Sequence, residues 1–121
     1  MQESADAAGV EAHIRGYIEH WNAKDTASVW ANFYRLDPSS RLKSKADLQA
    51  IFDGLVAEGY DHTDLGGVET SRLGPDHYLA RIRFTRFRTD GSVMAPGERG
   101  CDYQVRRFPD GWRITGVLAT D

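Results

Sequence analysis

Only one cysteine, Cys101, stands among the 121 residues. A lone thiol cannot staple a fold within its own chain, so a reducing compartment, and with it a cytoplasmic location, is the expectation. No apolar run approaches the roughly 20 residues of a membrane span. The opening MQESADAAGVEAHIRGY lacks the basic and apolar stretches of a secretory leader. Metal-ligand spacing is missing as well. His13, His20, His62 and His77 never fall at His-x-His or His-x-x-x-His separation. No glycine loop that could cradle phosphate precedes a helix, and there is no dinucleotide fingerprint or Gly-x-Ser-x-Gly elbow, so no cofactor is implied. Nor is there a surplus of positive charge: the formal net charge of −3 argues against a nucleic-acid partner.

What is present is globular. An apolar fraction of 40% and a charged fraction of 27% suit one folded domain over residues 1–121. Charge is unevenly placed. Between residues 77 and 113 stand eight arginines (Arg81, Arg83, Arg86, Arg88, Arg99, Arg106, Arg107 and Arg113) against four acids. They read either as solvated strand faces with cross-strand ion pairs or as an anion-attracting surface.

Periodicity divides the chain in two. Val10, Ile14, Tyr17, Ile18 and Trp21 fall at helical spacing, with residues 1–8 expected as a flexible lead-in. Asp25 or Thr26 can cap a second helix carrying Val29, Trp30 and Phe33. Asp37-Pro38-Ser39-Ser40 interrupts it. Ser44, with Asp47 three residues on, opens a third helix whose expected buried stripe is Leu48, Ile51, Phe52, Leu55 and Val56, ending at Gly59. Beyond Gly59 the period becomes two. Strands are expected over 60–65 and 68–73 with Gly66-Gly67 as a bulge, then 77–89, 100–108 and 112–119, with 92–98 as loop. Along the second long strand Tyr78, Ala80, Ile82 and Phe84 share one face, and Arg81, Arg83 and Thr85 the other. Helices first and a meander after imply an α+β domain: three helices on a curved antiparallel sheet, enclosing a pocket.

The helix ending YIEHWNAKD and the closing hairpin RRFPDGWRITGV carry a resemblance to the NTF2-like, or SnoaL-like, cone fold, from about Val10 to Leu118. That superfamily includes isomerases, cyclases, dehydratases, hydrolases and non-catalytic binding or dimerisation modules, so fold says little about activity. It implies a homodimer paired sheet to sheet, with Phe87, Tyr103, Val105 and Val117 as candidates for the pairing face. Locally, RGYIEHWNAKD is similar to the first helix of the ketosteroid isomerases. The resemblance makes Tyr17 the catalytic tyrosine and Asp37, before Pro38, the general base. The isomerases' second acid falls at Gln104, which is not an acid; Asp102 lies two residues earlier on the same face.

Each candidate has a structural reading beside the functional one. Tyr17 is a core aromatic or a phenol aimed at an oxyanion. Trp21 and Trp30 are core or ligand wall. Asp37 is a turn residue or a base beside Tyr17. His62 and Asp64 share a strand face: concave, they are an acid–base or water-positioning pair; convex, they are surface. Asp102 is a structural partner of Arg106 or Arg113, or, by resemblance to the epoxide hydrolases of this fold, part of a water-activating group. The expected function is a small-molecule pocket doing acid–base chemistry on an apolar cyclic or carbonyl substrate. The rival is a non-catalytic module of the same fold.

Overall fold

A computed structural model describes residues 2–38, 40 and 42–119. Helix α1 spans Gln2–Asn22 and α2 spans Thr26–Ser28, the latter running on as a π-helical turn over Val29–Phe33; α3 is Lys45–Ala57. Four strands follow: β1 (Tyr60–Gly74), β2 (His77–Arg88), β3 (Arg99–Phe108) and β4 (Gly111–Ala119). They form one antiparallel sheet in the order β1-β2-β3-β4. The α+β architecture read from the sequence is present: three helices against one sheet.

The helix boundaries follow from capping. Val10, Ile14, Tyr17, Ile18 and Trp21 are all buried, as their spacing requires. α1 stops where Lys24 turns left-handed (φ 63°). Asp25 then caps α2, accepting from the Ser28 amide at 3.1 Å. Ser44 and Asp47 close both halves of a capping box on α3. Gly59, at φ +93°, supplies the left-handed exit that a side chain would resist.

Asn22 fastens the end of α1 to the sheet. Its side-chain amide donates to the Thr63 carbonyl and its carbonyl accepts from the Thr63 amide, each at 2.8 Å. The two expected strands over 60–73 are a single strand, β1, bent by a register shift between Leu65 and Gly67. A Cβ on Gly66 would meet the Arg83 carbonyl oxygen at 3.2 Å, so the bend needs a glycine. On the other edge, the chain after the π-helical turn runs beside β4. The Arg35 amide donates to the Ile114 carbonyl at 2.8 Å and the Asp37 amide to that of Thr115 at 3.0 Å. This seam turns Tyr34 inward.

Three expectations need correction. Residues 2–8 belong to α1, not to a flexible lead-in. Asp6 there is buried and ion-paired to Arg107 at 2.9 Å, a partner about a hundred residues away that no local pattern reveals. In α3, Leu48 and Phe52 are buried, but Ile51 and Val56 are 49% and 45% exposed. Lastly, Tyr103, Val105 and Val117 do not share the outer face with Phe87. Register pairs Tyr103 with Ala80 and Val105 with Tyr78, both on the helix-facing side, and Tyr103 with Val117. The Asp37–Ser40 interruption stands where expected, with Ser39 itself outside the described residues.

Candidate functional site

Between α1, α3 and the concave face of the sheet lies a cavity of about 590 Å³, within the range of small-molecule sites. α1 contributes Tyr17, Ile18 and Trp21; α3 contributes Asp47, Leu48 and Ile51. The sheet supplies Thr63, Ile82, Phe84, Arg86, Arg99, Cys101, Tyr103 and Val117, and the chain between the helices adds Tyr34 and Leu42. Ile51, 49% exposed, is among the residues that line this hollow.

Three phenols meet on its wall. Tyr34 donates to the Tyr17 oxygen at 3.0 Å, and the Tyr17 and Tyr103 oxygens lie 3.4 Å apart. The rings of Tyr34 and Tyr103 sit 5.5 and 5.7 Å from that of Tyr17. Burial pushes all three hydroxyls above the usual tyrosine value, Tyr34 and Tyr103 well above it. At neutral pH all three are protonated donors, not bases. Nearby, Tyr60 shares a 2.6 Å hydrogen bond with the Thr63 hydroxyl, and Trp21 packs edge-on against Phe52 at 5.0 Å.

The charged lining is asymmetric: Arg86 and Arg99 from the sheet, Asp47 from α3. Oδ2 of Asp47 accepts from the Lys43 and Ser44 amides. Burial pushes the Cys101 thiol up, which keeps it protonated and a poor nucleophile. Among the described residues no group of three or more His, Cys, Asp or Glu side chains is arranged to hold a metal ion.

Of the residues singled out in the sequence, Tyr17 and Trp21 reach the cavity. Trp30 is half-buried against Tyr34, ring centroids 6.4 Å apart, behind the lining. Asp37 is exposed at the β4 edge. His62 and Asp64 approach each other at 3.6 Å, but on the outer face of β1, where His62 stacks on Phe87. Asp102 and Gln104 also face outward. Asp102 takes a two-pronged bond from Arg81 at 2.9 and 3.2 Å, rather than from Arg106 or Arg113. Gln104 meets His77 at 3.1 Å. Thus no acid from the isomerase-like set stands beside Tyr17.

The sequence did not point to Tyr34, and it offered Tyr103 only for the pairing face and Arg86 only among the strand arginines. Arg86 had a signal: it continues the in-phase series Tyr78, Ala80, Ile82, Phe84, so an arginine occupies the helix-facing stripe. Tyr103 needed the β2–β3 register, and Tyr34 the seam with β4.

No curated protein matches the chain. Solved structures do. An NTF2-like protein with a cystatin-like fold from Novosphingobium aromaticivorans is 21% identical, with a TM-score of 0.71 over 96% of this chain and 81% of that one. A superfamily protein from Salmonella enterica is 15% identical, TM-score 0.70, over 98% and 92%. A candidate aromatic-ring-hydroxylating dioxygenase β subunit, also from N. aromaticivorans, is 11% identical, TM-score 0.68, over 98% and 90%. Identities this low carry the fold alone. The family described as NTF2-like protein (DUF6841) matches residues 3–121. This chain therefore belongs to that NTF2-like family.

Proposed function

We propose that the protein binds a small, largely apolar, ring-bearing molecule in the cavity between α1, α3 and the sheet, and that the tyrosine cluster is the polar end of the site. The meeting of Tyr17, Tyr34 and Tyr103 hydroxyls on the wall of a 590 Å³ hollow carries this reading. Once Tyr34 has donated to Tyr17, one proton of the Tyr17–Tyr103 pair has no tyrosine oxygen left to bond, and its neighbour on the Tyr103 side is the Cys101 sulfur, a weak acceptor. A ligand carbonyl or hydroxyl can take it. The aromatic surfaces of Trp21 and Phe84 supply a flat apolar wall.

Any chemistry at this site is of the SnoaL-like, cofactor-independent kind. A protonated phenol can steady developing negative charge on a ligand oxygen. Proton removal from carbon needs a base, and the titratable groups lining the hollow are protonated phenols, a raised thiol, guanidinium groups and Asp47, one of whose oxygens caps a helix. The reading is accordingly a binding protein first and a hydrogen-bond-assisted enzyme second. A cytoplasmic setting suits the Cys101 thiol, which forms no disulfide. Pairing of two copies through the outer sheet face completes the proposal.

The test is a thermal-shift screen of cyclic ketones, phenols and aromatic acids on wild type, repeated on Tyr17→Phe. Hits that lose affinity in Tyr17→Phe support the reading. Hits indifferent to Tyr17→Phe, and equally to Tyr34→Phe and Tyr103→Phe, oppose it.

A further inference from the structure

The cavity carries a charge that its phenols and apolar walls do not explain. Arg86 lies on β2 opposite Thr63 of β1, in the register that faces the helices. Its side chain is thereby delivered to the hollow and not to the outer face, where Arg81 and Arg83 bind Asp102 and Glu98. No described carboxylate pairs with Arg86. Its guanidinium instead lies over the Phe84 ring, 5.1 Å from the centroid. Burial and then the nearby Arg99 charge push its pKa down, the mark of a cation short of counter-charge; an arginine remains charged all the same.

A half-buried guanidinium beside a second cation is costly unless a negative group completes it. Asp47, on the facing helix, makes no ion pair with it, and its Oδ2 holds the α3 capping box and the Lys43 amide. The planar fork of an arginine matches a carboxylate in two parallel hydrogen bonds. The phenol backbones lie elsewhere, Tyr103 beside Ala80 further back along β2, but the hydroxyls of Tyr17 and Tyr103 are within electrostatic reach of the guanidinium. The hollow therefore holds a cation and neutral phenol donors, with Ile82, Phe84 and Val117 on its sheet wall.

We infer that Arg86 receives the carboxylate of the ligand, so that the cavity selects aromatic or alicyclic carboxylic acids over neutral molecules of the same shape. The inference rests on the reading of the cavity as a ligand site, and it adds the ligand's charge.

The probes are matched pairs, benzoate with benzamide and naphthoate with naphthamide, titrated calorimetrically. Wild type should bind each acid at least roughly tenfold more tightly than its amide, the worth of about one charge-assisted hydrogen bond. Arg86→Gln should lose roughly 10- to 100-fold for the acid and under about threefold for the amide. Arg86→Lys, which keeps the charge but not the fork, should retain part of the preference. In wild type alone, added salt should weaken the acids and leave the amides unchanged; acid binding indifferent to salt overturns the inference even if Arg86→Gln folds poorly. Equal binding of acid and amide by wild type, or acid affinity retained in a folded Arg86→Gln, overturns the inference while the cavity stands. Failure of every ring probe, charged or neutral, overturns both.

Discussion

The Tyr34 hydroxyl donates to the Tyr17 oxygen across 3.0 Å, joining the strand-like seam beside β4 to the middle of α1. Both side chains are buried, and both line the cavity wall. Tyr34→Phe removes the donor but leaves Tyr17 able to turn toward Tyr103. The expected loss is about 1 kcal/mol of folding stability, read as a lower urea midpoint with an unchanged slope. A loss above about 3 kcal/mol would mean that Tyr34 holds the fold rather than shapes the site.

Trp21 is the structural counterpart. It is 6% exposed and packs edge-on against Phe52 while also forming cavity wall. Trp21→Ala should cost about 3–5 kcal/mol. A cost below about 1 kcal/mol in chemical denaturation would contradict the packing described.

Asn22 should matter more than a half-exposed polar residue usually does. Both ends of its amide are bonded to the Thr63 backbone. Asn22→Ala leaves that backbone N–H and carbonyl without their partner, for an expected loss of about 1–3 kcal/mol. Amide exchange at Thr63 should accelerate by a corresponding factor; unchanged exchange would show that the clamp is not formed in solution.

His13 gives stability a dependence on acid. Burial holds its pKa below the ordinary 6.5, partly opposed by its bond to the Phe33 carbonyl, with Arg113 lowering it further. In the unfolded chain His13 takes up a proton below about pH 6.5, while in the fold it resists. The unfolded state then binds more protons, so stability falls as pH drops through 6.5 toward the lower folded value. The urea midpoint should decline between pH 7.5 and 5.5, and His13→Gln should flatten that decline. The tyrosines act at the other end of the scale. Their raised values keep them neutral in the fold while unfolded tyrosines ionise near pH 10, so stability falls again as pH rises past 10.

Pairing of two copies would use the outer sheet face, where Leu79 and Phe87 stand half-buried among Arg81 and Arg83. Sedimentation at micromolar concentration should show a dimer, and Phe87→Glu should shift it toward monomer. A wild-type monomer at that concentration removes this part of the proposal.

The architecture was legible because it rests on local rules: the apolar spacing from Val10 to Trp21, the Ser44–Asp47 capping box, the switch of period after Gly59. The site was less so, for a reason visible at Asp102 and Tyr103. They are neighbours in the chain, and a strand sends neighbours to opposite faces. Which face is concave depends on the pairing of Tyr103 with Ala80, a fact of register and not of composition. Likeness to the isomerases brought in Asp102 and Gln104 as candidates, while Tyr103 was expected on the outer, pairing face. Tyr17 and Trp21 escaped this ambiguity because a helix has one buried stripe. Asp37 was placed by likeness to the ketosteroid isomerases; here the seam with β4 takes it to the exposed edge.

If the hollow between α1, α3 and the sheet is a ligand site, the phenol cluster is its polar end. A crystal structure of the protein with the tightest ligand from the screen tests it most directly. Density should lie between Trp21 and Phe84, with a ligand oxygen within hydrogen-bonding distance of the Tyr17 or Tyr103 hydroxyl. Ligand bound on the outer sheet face beside His62 or Asp102, with the three phenols bonded only to one another, would contradict it.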